Sequence, residues 1–118
     1  MAGLTSHVLD TTHCRSASGL ALRLCDRVAA PAAPPLVESR TNADGRLDAP
    51  LIAADTMRKG RFRLAFDVAD YFRAQGVELP DPPFLETVVI DFAIAEPEGH
   101  YHVPLLLSPF GYSTYRGS

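Results

Sequence analysis

Apolar residues return at every second position along several short stretches of this chain. From Gly19 to Cys25, Leu20, Leu22 and Leu24 fall on one side and Ala21, Arg23 and Cys25 on the other. From Gly60 to Asp67, Phe62, Leu64 and Phe66 alternate with Arg61, Arg63 and Ala65. A period of two marks a strand with one buried face. Leu4 to Asp10, Leu36 to Thr41 and a short piece near Leu47 to Leu51 read as further strands. A long β-branched stretch, Phe84 to Ala95, reads as another. His100 to Leu107 and Phe110 to Tyr115 form a last pair joined at Ser108-Pro109. Pro104 lies inside the first of that pair, which predicts an edge position or a bulge, because proline cannot donate to a ladder. Only Val68 to Gln75 has a helical pattern, with Asp67 placed to cap it and Gly76 to end it.

Breaks between these runs are rich in turn residues. Ala29-Ala30-Pro31-Ala32-Ala33-Pro34-Pro35 is a stiff loop, and Asn42-Ala43-Asp44-Gly45 is a tight turn in which Gly45 can take a positive φ. Pro80, Pro82 and Pro83 mark another loop, and Glu96-Pro97-Glu98-Gly99 turns the chain into its last pair. Seven or eight short strands with one helix predict an all-β protein, an antiparallel sandwich or barrel. The 118 residues suit a single domain spanning 1–118.

Charge narrows the range of partners. The formal net charge is −3 at pH 7, which argues against nucleic acid or an anionic membrane surface as the partner. No apolar run is long enough to span a bilayer. The two cysteines, Cys14 and Cys25, make no disulfide framework, and Met1 to His7 lacks the pattern of a signal peptide. A cytoplasmic location is therefore expected.

Candidate chemistry gathers at a few positions. His7 sits in the first strand and can be a core-edge histidine or a general base, since imidazole titrates near neutral pH. His100 and His102, two apart in a strand, share a face. They could serve acid–base chemistry or bind zinc. Zinc normally needs three or four ligands, and no H-E-x-x-H or C-x-x-C spacing is present, so no metal is expected. Arg46, held just after the tight turn, is either a solvated arginine or a clamp for an anion or carbonyl. The ending Tyr115-Arg116-Gly117-Ser118 carries a phenol, a guanidinium and a hydroxyl in four residues, a polar cluster if it folds into a pocket. Cys14, Cys25 and Ser108 lack the context of a nucleophile.

Taken together, these segments resemble the transthyretin-related 5-hydroxyisourate hydrolases. The matching stretches are Leu4-Thr5-Ser6-His7-Val8-Leu9-Asp10, Thr41 to Arg46, Gly60 to Phe72, Pro83-Phe84-Leu85, His100 to Tyr112 and the closing Tyr115-Arg116-Gly117-Ser118. The resemblance implies a transthyretin-like sandwich of two four-stranded antiparallel sheets with one short helix, assembled as a homotetramer with sites in its channel. It implies hydrolysis of the ring amide of 5-hydroxyisourate to 2-oxo-4-hydroxy-4-carboxy-5-ureidoimidazoline, in urate degradation, without a cofactor. It transfers catalytic roles to His7, Arg46 and His102, and substrate binding to His7, Arg46, Tyr115, Arg116, Gly117 and Ser118. The same fold serves the hormone carrier transthyretin, so the alternative is a carrier of a small aromatic ligand in the tetramer channel. Two departures from the family pattern stand out: Cys14-Arg15-Ser16-Ala17 after the first strand, and the Pro/Ala-rich stretch before Leu36.

Overall fold

A computed structural model describes residues 2–30 and 32–117. Eight strands and one α-helix follow in the order β1 (Gly3–Asp10), β2 (Arg15–Ser16), β3 (Ala21–Asp26), β4 (Val37–Arg40), β5 (Gly60–Phe66), α1 (Val68–Ala74), β6 (Val88–Ile94), β7 (His100–Ser108) and β8 (Gly111–Thr114). They form two four-stranded sheets, β2-β1-β7-β8 and β4-β3-β5-β6. Between the sheets lie the residues that alternation marked as buried. Leu20, Leu22, Leu24, Phe62, Leu64 and Phe66 are each at most 2% exposed, and Leu4, Val8, Leu105 and Leu107 meet them from the other sheet. Each such side chain contributes about 1.5–3 kcal/mol on leaving water. No described helix is long and apolar enough to cross a membrane.

The sandwich is as expected, with one pairing of different sense. β1 and β7 run parallel, from Gly3 opposite His100 to Asp10 opposite Leu107, while every other ladder is antiparallel. The two strands lie nearly a chain length apart in sequence, so no tight turn forces them into opposite directions.

Four local expectations are corrected. Strand β6 begins at Val88 rather than Phe84, because its partner β5 ends at Phe66, opposite Val88, and the chain turns there into α1. Phe84 is left 73% exposed. Leu47 to Leu51 is not a strand: isolated bridges His7–Arg46 and Leu4–Ile52 flank it instead. Asp67 stands at the N-cap position of α1 without a side-chain cap bond, because its carboxylate accepts from Arg23 Nη1 at 3.0 Å. Pro104 lies in β7, which has neighbours on both sides. It is tolerated because the ladder to β8 starts one residue later, at Leu105 opposite Thr114. Its carbonyl is still satisfied, by Thr114 Oγ1 at 2.7 Å.

Candidate active site

Alternation along β1 and β7 builds one polar surface. Ser6, Val8, Tyr101, Val103 and Leu105 point inward, leaving Thr5, His7, His100 and His102 on the outer face of the sheet. The parallel register then sets Thr5 directly beside His102 and His7 beside Pro104. Next to them runs the turn at Asn42. Gly45 takes φ +72°, and a Cβ there would stand 2.4 Å from the Val8 carbonyl oxygen, so only glycine lets the turn lie this close to β1. Val8 N–H donates to the Gly45 carbonyl at 2.8 Å and locks the contact.

Arg46 is thereby fixed at its backbone and free at its head. Asn42 Oδ1 accepts from Asp44 N–H at 2.9 Å and Arg46 N–H at 3.2 Å, and Asn42 N–H donates to the Arg46 carbonyl at 2.7 Å. The nearby Asp48 carboxylate accepts from Asn42 Nδ2 at 3.0 Å. Among the described residues no carboxylate forms an ion pair with Arg46. Arg46 borders a cleft of about 480 Å³ shared with Thr5, Asp48, His100 and His102. That volume is in the range of small-molecule sites.

The two histidines differ. The His7 ring turns toward the loop, and its Nε2 lies 3.0 Å from the Asp44 carbonyl. A carbonyl only accepts, so that nitrogen carries a proton, which leaves Nδ1 as the ring nitrogen without a partner among the described residues. His7 stands beside Arg46 but does not border the cleft. His102 does border it, with Nδ1 2.8 Å from Thr5 Oγ1. Burial holds the His102 pKa below its ordinary value, and the charges of Arg46, His7 and His100 depress it further. The ring is therefore neutral at physiological pH.

The tail reaches His102 from the far side. Gly117 N–H donates to the His102 carbonyl at 2.7 Å, in the register that β8 sets. A Cβ at Gly117 would meet His102 Cδ2 at 2.8 Å, so the tail rests against that ring edge. Arg116 turns elsewhere: its guanidinium carbon lies 4.0 Å from the centre of the Tyr101 ring, and Nη2 donates to the His100 carbonyl at 3.3 Å. Tyr115 is 61% exposed. Tyr115, Arg116 and Gly117 line a second, more open hollow of about 530 Å³ that shares His100 with the cleft. Ser118 lies outside the described residues.

The structure thus brings Arg46 and His102 to one cleft, with His7 and Gly117 in contact with its walls, and sets Arg116 against Tyr101. Thr5 is a site residue that the sequence reading passed over. Alternation places it on the face of His7, but its contact with His102 needs the β1·β7 register. Among the described residues no group of three or more His, Cys, Asp or Glu is placed to hold a metal ion. Chemically, a neutral imidazole and a guanidinium with no ion-pair partner at one cleft of mixed lining suit attack on a polarised carbonyl.

A family model described as the HIUase/Transthyretin family matches residues 4–117. A 5-hydroxyisourate hydrolase of Deinococcus radiodurans is 49% identical over 116 residues, covering 98% of this chain and 96% of that protein. The solved 5-hydroxyisourate hydrolase of Klebsiella pneumoniae superposes with a TM-score of 0.80 at 33% identity, covering all of this chain and 94% of that one. Sea bream transthyretin in complex with thyroxine superposes with a TM-score of 0.82 at 32% identity, over 97% of this chain and 93% of that one. The two structures are equally close, so the backbone alone does not separate hydrolase from carrier.

Proposed function

We propose a mechanism from one premise: the chain belongs to the HIUase/transthyretin family. It is a hydrolase that opens the ring amide of 5-hydroxyisourate. One observation carries the assignment of its site, the convergence on one cleft of Arg46, which has no ion-pair partner among the described residues, and His102, whose pKa burial holds below its ordinary value. A carrier of an aromatic ligand calls for an apolar lining throughout; here Leu47, Ala49 and Pro50 supply apolar surface, and Arg46, His100, His102, Thr5 and Asp48 set polar side chains among them.

In this reading water attacks the amide carbonyl while an imidazole takes its proton. The oxygen that gains charge lies against Arg46, and the proton passes on to the leaving nitrogen. His7 and His102 divide the donor and acceptor roles. Gly117 lies against the His102 ring, and the substrate-binding role extends to Tyr115 and Arg116, which share His100 with the cleft, and to Ser118. Mixing urate, urate oxidase and this protein tests the activity. The absorbance of the short-lived intermediate should decay much faster with the protein than without it, and an unchanged decay would remove the assignment.

The reading includes a homotetramer. Among the described residues the outer edges of β6 and β8 have no strand partner, and exposed Phe84, Phe110 and Tyr112 gather near the second edge. Such edges pair readily with another copy. Light scattering coupled to gel filtration should give four times the chain mass. The reading also places the protein in the cytoplasm, where its free cysteines, Cys14 exposed and Cys25 partly so, stay reduced.

A further inference from the structure

We infer that Thr5 is a positioning residue that selects the tautomer of His102, presenting Nε2–H to the cleft; the inference rests on the hydrolase reading above. Four Ser and Thr hydroxyls on or beside this sheet have a partner within 3.0 Å. Ser6 Oγ donates to the Val103 carbonyl, Thr11 Oγ1 to the Leu107 carbonyl and Thr114 Oγ1 to the Pro104 carbonyl. Thr5 alone among these four meets an imidazole, at 2.8 Å, and among the described residues its hydroxyl has no other acceptor. A hydroxyl proton that finds its acceptor at Nδ1 puts the single proton of a neutral ring on Nε2.

The ring is held on both edges. Nδ1 faces Thr5, and Cδ2 faces Gly117. Those two atoms flank Cγ, so the free tip of the ring is Cε1 and Nε2. The tip belongs to a residue that borders the cleft with Arg46. Burial and the neighbouring Arg46, His7 and His100 keep the ring neutral, which is the state in which a tautomer choice matters.

The tautomer divides the labour between the histidines. His102 Nε2–H and Arg46 donate to the carbonyl oxygen as it becomes anionic, the way a neutral imidazole acts as an electrophile in triosephosphate isomerase. The base is then His7, which stands beside Arg46 rather than on the cleft, with Nε2 against the Asp44 carbonyl and Nδ1 without a partner among the described residues, so the proton reaches it through one bridging water. Water oxygen bonds to the carbonyl carbon, the π pair moves to oxygen, and His7 Nδ1 takes the water proton. Collapse of the tetrahedral adduct breaks the carbon–nitrogen bond, and His7 returns the proton to the leaving nitrogen.

The test uses Thr5→Val, which keeps the β-branched shape and loses the hydroxyl, and Thr5→Ser, which keeps the hydroxyl. Imidazole ¹⁵N shifts of labelled wild-type protein should show His102 protonated at Nε2. In Thr5→Val the two nitrogens should move toward a mixture, and kcat should fall roughly 10–100-fold with KM little changed. Thr5→Ser should restore both. A wild-type His102 proton on Nδ1, or a Thr5→Val protein with unchanged ring shifts and full kcat, would overturn the inference. Failure of the wild type to hasten hydroxyisourate decay would instead remove the hydrolase reading, because the ring shifts are read without substrate.

Discussion

The outer faces of the two sheets treat charge in opposite ways. On β4-β3-β5-β6, two of the four strand arginines are matched to carboxylates: Arg63 grips Asp91 with two bonds of 2.7 and 3.1 Å, and Arg23 holds Asp67 at 3.0 Å, while Arg40 donates to the Gly19 carbonyl and Arg61 has no acid partner among the described residues. Arg58 likewise meets Asp26 at 2.8 Å beside that sheet. On β2-β1-β7-β8, Arg46 has no such partner among the described residues, and the imidazoles of His7 and His102 bond to a carbonyl and a hydroxyl rather than to acids. Matched ions on a wet surface contribute solubility and little else. Unmatched groups held by a stiff backbone keep their hydrogen-bonding capacity for something outside the chain. The lesson is that an arginine without an acid partner marks a site where a stiff turn and imidazoles stand beside it, as they do at Arg46 and not at Arg61.

That contrast can be broken at its strong end first. Substituting His102 by Asn should lower kcat by about 10²–10⁴, and Arg46→Ala by about 10²–10³. Both are read as the rate of decay of freshly made 5-hydroxyisourate, and near-normal turnover in either would dissolve the distinction between the faces. The pH profile sharpens it. If neutral His102 is required, activity persists as pH drops through the ordinary histidine value of 6.5 and falls only below it, because the folded pKa is lowered. In the same window the unfolded chain takes up a proton before the folded one, so stability declines with acid.

Next in size is the tail. Deleting Tyr115 to Ser118 should leave the sandwich folded and remove most activity. Gly117→Ala should do so by displacement alone, with a loss approaching 10²-fold, since its Cβ would intrude on the His102 ring. Circular dichroism and turnover measured together separate these outcomes from general unfolding.

Smaller still is an effect on stability without one on catalysis. Buried Asp10 accepts from Tyr71 Oη at 2.7 Å and from His13. Burial raises the Asp10 pKa, and the bonds from His13 and Tyr71 outweigh it, leaving the carboxyl below its ordinary value. Burial and the bond to Asp10 push Tyr71 up to about 12. Tyr71→Phe should cost about 1–3 kcal/mol by denaturant unfolding with kcat unchanged. A lowered carboxyl stabilises the fold above pH 3.8 and loses that effect as pH falls through the folded value, so wild type and variant should converge in strong acid. Smallest of all, Arg63→Ala should change neither Tm nor kcat measurably.

Much of this was legible in the chain because burial imposes parity. The leucines of β3 and the alternating Phe and Leu of β5 announced their strands and their buried faces. What failed was wherever a distant partner decides. Phe84 to Thr87 has strand-forming residues but no strand beside it. Asp67 has the chemistry of a cap, and Arg23, far away in sequence, takes it. At the site, the resemblance singled out His7, Arg46 and His102. Thr5 stayed hidden because its meaning comes from a neighbour 97 residues away.

The parallel run of β1 against β7 has a consequence for how this protein can change. Side chains on a strand are sorted into two classes by odd and even count, and a slip of one exchanges the classes. Losing a single residue between Thr5 and His7 would turn one of those two side chains inward and bring an apolar one out. The same holds for His100 and His102 on the other strand. Insertions and deletions in these two strands are therefore forbidden twice over, by the core on one side and by the chemistry on the other. Variation in length is left to the loops, as in the Pro/Ala-rich stretch before Leu36.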